Sequence, residues 1–237
     1  MNILVLPHEL LALTIDLLDI GSVFSLGYVS KFLMVTVRKG NYHASINAIL
    51  NCIIRDDHIN LFKWLEESDE KLKTIMIIPI YTNNICIKAA MFGSLKILKY
   101  VYENRSMQMD SKTIIECAVK NGHLEILKYI RTKLCDNESC WDEYTCYHAI
   151  INGHLEVLKY LRENRCPWNE LACHYAAGND HLEILKYLHN NGCPWNEATC
   201  YQAVINGHME ILKYLHENGC PCYMAHCELC EMIDTKN

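Results

Sequence analysis

Basic blocks are missing from this sequence. Its 237 residues carry 22 Lys and Arg against 28 Asp and Glu, a formal net charge of −6, and the cations do not gather into a run. Without a basic stripe there is no electrostatic footprint for nucleic acid, which is set aside as a partner. A membrane-length apolar run is missing as well. Ile75 to Ile80 is far too short to span a bilayer, so no membrane partner is expected. No basic n-region precedes the apolar start, and Pro7, His8, Glu9 and Asp16 interrupt it, so the start does not read as a signal peptide. There is no glycine-rich phosphate loop and no isolated pair of acids for general acid–base work. Cys–His catalysis needs one activated pair, whereas here both residue types come in multiples. The expectation is a non-enzyme without a cofactor.

What the chain does have is a repeated phrase. Asn206-Gly207-His208-Met209-Glu210-Ile211-Leu212-Lys213-Tyr214-Leu215 follows earlier copies that begin at Asn152, Asp180, Asn121 and Gly93, with a faded one at Asp57. On the His position, where one copy has Ser94, the spacings are 36, 29, 31, 27 and 27 residues. Periods in this range mark a stacked solenoid.

The unit from Trp168 to Cys193 predicts two helices. Asn169 offers a side-chain oxygen to cap the first, and Glu170 an acid for its positive end. Leu171 to Ala177 forms that helix, and Gly178-Asn179-Asp180 stops it, since these residues tolerate the left-handed conformation. Leu182, Ile184, Leu185 and Leu188 line one face of the second helix, with Glu183 and Lys186 paired on the other. One hairpin has too little core to stand alone.

Comparing copies separates scaffold from variable positions. Ala89, Ala118, Ala149, Ala176 and Ala203 fall at one place, and Cys86, Cys146, Cys173 and Cys200 at another. Small residues on the first helix predict a close helix–helix seam. The recurrence of cysteines, among 14 in the chain, predicts small buried apolar residues in a reducing compartment rather than a disulfide framework. A cytoplasmic setting is expected. His123, His154, His181 and His208 recur just after a helix stop, where an imidazole can bond the backbone between units. Other first-helix positions vary, among them Cys117, His148, Tyr175 and Gln202, and Lys120, Ile151, Gly178 and Ile205.

Ala-x-x-x-Gly-His, an Ile/Val-Leu pair, a Leu three further on and a closing Asn-Gly resemble the ankyrin repeat, over roughly Tyr42 to the C-terminus. The usual ankyrin repeat has about 33 residues and opens on Thr-Pro-Leu-His. Here Thr145-Cys146-Tyr147 and Thr199-Cys200-Tyr201 stand instead, and the 27-residue copies lack about six residues between helices. The projecting β-hairpin is therefore expected to be clipped to a tight loop. The Cys-Pro-Trp-Asn-Glu form is similar to repeats in large DNA viruses of protists and in some protist genomes. The resemblance implies a protein target bound on the variable first-helix face, for which the candidates are Tyr147, His148, Ile151, Asn152, His174, Tyr175, Asn179, Tyr201, Gln202 and Ile205.

Residues 1–40 stand outside the repeat. Leu6-Pro7-His8-Glu9-Leu10-Leu11 predicts a helix with proline in its first turn. Leu13, Leu17 and Leu18 continue its stripe, Gly21-Ser22 breaks it, and Val23, Leu26, Val29, Phe32 and Leu33 begin another. With Val29-Ser30-Lys31-Phe32-Leu33, the run resembles the F-box. That resemblance implies that Leu6, Pro7, Leu10, Leu11, Leu17, Leu18, Leu26 and Val29 dock an adaptor subunit of a cullin–RING ubiquitin ligase. The same helices also fit a simple cap over the first repeat, which any solenoid needs.

Residues 67–84 read as an irregular apolar loop. Near the end, Cys220, Cys222, His226, Cys227 and Cys230 could form a zinc site. Shifted by 27, however, Cys220 and Cys227 fall on Cys193 and Cys200, so a capping helix explains the segment and no metal is assigned. The expected architecture is all-α: a helical module at 1–40, an ankyrin-type solenoid of about six hairpins of 27–31 residues at 41–221, and a capping helix and tail at 222–237.

Overall fold

The structure, a computed structural model, describes residues 50–68, 79–104, 110–133 and 141–222. Among these, every regular element is a helix. The chain divides into two compact units, Met1–Met109 and Asp110–Asn237.

In the first unit, residues 50–55 are helical and lead into α1 (Ile59–Ser68), followed by α2 (Pro79–Phe92) and α3 (Leu95–Asn104). Ile53, Ile54, Phe62, Ile97, Leu98 and Val101 make its core. Asp57, in the left-handed conformation at φ 52, ties one hairpin to the next. Its carboxylate accepts the Ile97 and Lys96 amides at 3.0 and 3.2 Å. Ser94, standing where other copies have histidine, donates its hydroxyl to the Ile54 carbonyl. The expected irregular stretch is corrected here, because residues 79–84 belong to α2. Pro79 is the first helical residue, where its missing N–H is no loss and its fixed φ suits the helix.

The second unit holds α4 (Ser111–Lys120), α5 (Leu124–Lys133), α6 (Glu143–Ile151), α7 (Leu155–Glu163), α8 (Glu170–Gly178), α9 (Leu182–Asn190), α10 (Glu197–Ile205) and α11 (Met209–Glu217). Each odd-numbered helix folds back on the even one before it, and α8 packs between α6 and α10. Ala118, Ala149, Ala176 and Ala203 lie in these contacts with no exposed surface. A methyl group there lets neighbouring helices approach closely. Each second helix buries three residues at i, i+1 and i+4, such as Val157, Leu158 and Leu161 in α7 or Ile184, Leu185 and Leu188 in α9. The outer faces of α5, α7 and α9 carry Glu–Lys pairs three apart, at 2.7 Å for Glu156–Lys159 and 2.8 Å for Glu183–Lys186. At such exposure each contributes only a few tenths of a kcal/mol.

Helix ends follow the sequence closely. The first helices α6, α8 and α10 are capped by Asp142, Asn169 and Asn196, whose side chains accept the Thr145, Leu171 and Ala198 amides at 2.9, 2.9 and 3.0 Å. Asp142 also forms a capping box, since the Thr145 hydroxyl accepts the Asp142 N–H. Asp142→Ala should therefore lower stability by about 0.5–2 kcal/mol, read as a shift in the urea midpoint, while Asp142→Asn retains most of it. At the other end, Gly178 remains helical and Asn179 is the C-cap, so that only Asp180 turns left-handed, at φ 60. The links from α7 to α8 and from α9 to α10 are residues 164–169 and 191–196, too short for a projecting hairpin.

Histidines join one hairpin to the next. The Nε2 of His154 lies 3.0 Å from the Lys120 carbonyl, that of His181 3.1 Å from Ile151, and that of His208 3.2 Å from Gly178. Each ring reaches the last turn of the preceding first helix. Meanwhile the His154, His181 and His208 amides donate to Ala149, Ala176 and Ala203 of their own hairpins. On the opposite side, linker tryptophans cover the second helices: Trp168 stacks under Arg162 at 4.1 Å and meets Tyr187 edge-on, and Trp195 stacks on His189 at 3.8 Å.

Candidate functional site

Because α6, α8 and α10 begin 27 residues apart, equivalent side chains line up in columns across the three helices. The columns are Tyr144, Leu171 and Ala198, then Tyr147, His174 and Tyr201, then His148, Tyr175 and Gln202, and last Ile151, Gly178 and Ile205. The two 27-residue spacings make this a regular surface rather than a chance patch.

Large apolar side chains are exposed along it: Tyr144 at 70%, Ile205 at 54%, Tyr201 at 48% and Leu171 at 40%. Tyr201 and Ile205 are sequence candidates. Tyr144 and Leu171 are not, although both follow the first glutamate of their helix, and that shared place is the signal available in the sequence. Between Ile151 and Ile205 the last column dips at Gly178. A Cβ there would lie 3.1 Å from Gln202 Oε1, so the bare backbone leaves a notch beside Gln202.

Other candidates have structural work. Tyr147 is only 5% exposed, which corrects its reading as a residue open to a target. Its hydroxyl donates to Asn169 Oδ1 at 2.7 Å, the same oxygen that caps α8, and its ring lies 5.2 Å from Tyr175. Burial, with Glu143 nearby, pushes its phenol up to about 12. Tyr147 therefore holds Tyr175 and the α8 cap in place. Asn152 and Asn179 are exposed, but their amides donate to the His148 and Tyr175 carbonyls at 2.8 and 2.9 Å, a C-terminal cap that Asn121 and Asn206 repeat. They are scaffold of the kind that repetition itself reveals.

His148 and His174 are half-buried. Burial lowers the pKa of both, and Lys120 lowers that of His148 further, so both rings are neutral near pH 7. His174 Nδ1 is buried without a hydrogen-bond partner. Its ring packs edge-on against Tyr175 at 5.6 Å. With the imidazoles neutral, Glu143, Glu170 and Glu197 at the helix starts give one edge of the face an acidic character. The arrangement offers shape, aromatic surface and hydrogen bonds, which is the chemistry of recognition.

Among the described residues no group of three or more His, Cys, Asp or Glu could hold a metal ion. His226, Cys227 and Cys230 lie outside the described residues, as do the adaptor candidates Leu6, Pro7, Leu10, Leu11, Leu17, Leu18, Leu26 and Val29. No helix among the described residues is long and apolar enough to cross a membrane.

A family model for ankyrin repeats in three copies matches residues 86–171 and 146–227, together more than half of the chain. No curated protein matches the chain. Matched over hairpins that also share their caps, their alanine seam and their histidine bonds, the chain belongs to the ankyrin-repeat family, whose repeats are protein–protein interaction modules and typically not enzymes.

Proposed function

We propose that the face formed by α6, α8 and α10 binds a protein target in the cytoplasm, while residues 1–40 recruit the adaptor of a cullin–RING ubiquitin ligase. The chain would then select a substrate, and the chemistry would belong to the recruited enzyme. The observation that carries target binding is the set of columns itself. Tyr144, Leu171, Tyr201 and Ile205 are exposed on helices otherwise packed by alanine and cysteine. Aromatic anchors on a rigid surface are where binding energy concentrates. Support for the adaptor comes from the Leu6-Pro7-His8-Glu9-Leu10-Leu11 run and the apolar stripe after it, which suits docking of a helical face into a partner's groove.

Two measurements test the halves separately. Calorimetry of the full chain with a cullin-ligase adaptor should show binding that Leu10→Asp removes while the far-ultraviolet circular dichroism is kept. A well-folded wild-type chain that does not bind reduces residues 1–40 to a cap and leaves a scaffold or inhibitor with no ligase link. For the target, a photo-crosslinker at Tyr201 should capture a protein that the same group at Lys213, on α11, does not. Tyr201→Ala combined with Ile205→Ala should then weaken that complex by about 2 kcal/mol or more. Equal capture from both positions would sink the assignment of this face.

A further inference from the structure

The repeated cysteines are more than small apolar fillers. The ten described cysteines are thiols, and two pairs of them stand sulfur to sulfur within 2.8 Å, while Cys173 and Cys193 form a third, looser pair. Cys146 Sγ lies 2.7 Å from Cys166 Sγ, and Cys200 Sγ lies 2.8 Å from Cys222 Sγ. A disulfide is about 2.05 Å long, so each pair is less than ~1 Å from bonding distance.

The second pair breaks the repeat. Cys166, Cys193 and Cys220 occupy one repeated place, and their thiols donate to the carbonyls of Asp142, Asn169 and Asn196 at 3.3, 3.3 and 3.5 Å. By that register Cys220 should be the neighbour of Cys200. Cys220 does lie beside the Cys200 backbone, but the sulfur that meets Cys200 Sγ is that of Cys222, at the place where earlier copies carry Trp141, Trp168 and Trp195. The change removes an aromatic cover and puts a thiol against α10.

Access distinguishes the pairs. Cys146 and Cys166 have no exposed surface, whereas Cys222 is partly open to solvent. Cys220, only 8% exposed, is turned toward backbone carbonyls. Burial pushes its thiol up to about 12, which keeps it protonated and out of competition.

We propose that Cys200 and Cys222 form a reversible disulfide, made by exchange with a small-molecule disulfide of the glutathione class. The Cys222 thiolate attacks that disulfide, forming a mixed disulfide and releasing one small thiolate. The Cys200 sulfur, giving up its proton, then attacks Cys222 sulfur and expels the second. The two cysteine protons end on the two released thiols, and the two electrons reduce the small disulfide. The new bond closes a loop that contains all of α11, so oxidation ties the residues after α11 back to α10 and closes the last described hairpin on itself. Disulfides of this kind in a reducing compartment are transient and redox-responsive.

The test uses the full chain, reduced and then equilibrated with oxidised glutathione, quenched by alkylation and mapped by mass spectrometry. The expected product is a Cys200–Cys222 cross-linked peptide from a chain ~2 Da lighter, reversed by reduced glutathione. Hydrogen exchange in α11 should slow at least several-fold in the oxidised form. Cys222→Ser should abolish both effects without unfolding the chain, since its side chain is not a core residue. The Cys146–Cys166 pair should stay reduced under native conditions and bond only when the chain is opened with urea. A stable glutathione adduct on Cys222, a Cys200 bond to another cysteine, or no cross-link overturns the proposal.

Discussion

Replacing Leu158 with alanine should lower the unfolding free energy by about 2–5 kcal/mol. Leu158 is fully buried in α7, which packs on α6 of its own hairpin and on α5 of the one before. The loss is the transfer of three heavy atoms from a packed interior plus the void they leave, and neighbouring alanines are too short to close it. Because stability in a stacked array is a sum of hairpin and interface terms, weakening an inner hairpin also uncouples its flanks. Urea unfolding followed by circular dichroism should show a lower midpoint and a broadened or stepped transition. Leu158→Met, which nearly conserves volume, should cost less than about 1.5 kcal/mol. A single transition with an unchanged midpoint in Leu158→Ala would contradict the packing described for α7.

Gly153→Ala should cost clearly more than Gly207→Ala, although both glycines are left-handed, at φ 76 and 71. A side chain in that conformation costs roughly 1–2 kcal/mol at either position. At Gly207 nothing lies within 4 Å of an added Cβ, so the backbone term is the whole cost. At Gly153 the Cβ would lie 2.9 Å from His181 Cε1, and the ring must shift. Its bond to the Ile151 carbonyl is then lost, adding about 0.5–1.5 kcal/mol. The difference should vanish in a His181→Ala background, where no ring remains to be displaced. A double-mutant cycle on thermal or urea unfolding measures this, and an uncoupled cycle would rule out the contact.

Much of this architecture is legible in the sequence because repetition acts as an internal control. The alanine column, the caps at Asn169 and Asn196 and the role of the histidines follow from asking which residues every hairpin needs. Departures occur where one side chain's environment depends on its neighbour in the next copy. Tyr147 reads as an accessible aromatic, yet Tyr175 and the cap of α8 enclose it. Tyr144 and Leu171 are missing from the sequence candidates, since nothing local says that the position after the first glutamate points outward. Asn152 and Asn179 belong with the scaffold by the same comparison that identified the alanines. The start of α2 is hidden by the apolar run through Ile80, in which Pro79 resembles a loop residue rather than a first helical one. Cys222 stands two residues beyond the repeated cysteine, so its place beside Cys200 depends on how the chain turns after α11.

The histidine bonds also bear on how such a chain can change length. Each ring donates to a backbone carbonyl, a group that every residue type supplies, so Lys120, Ile151 and Gly178 serve equally well as acceptors. The histidine bond is therefore made without regard to the side chain at the accepting residue, unlike the Tyr147–Asn169 contact between neighbouring hairpins. The tripeptide Asn-Gly-His is identical at Asn152 and Asn206, and a gene exchange between those points would leave every joint intact. Whole hairpins could be gained, lost or shuffled in one recombination event, changing the order of the displayed columns while leaving the histidine bonds between neighbours as they are. The surface that recognises a target is thus free to diversify by rearrangement as well as by point substitution.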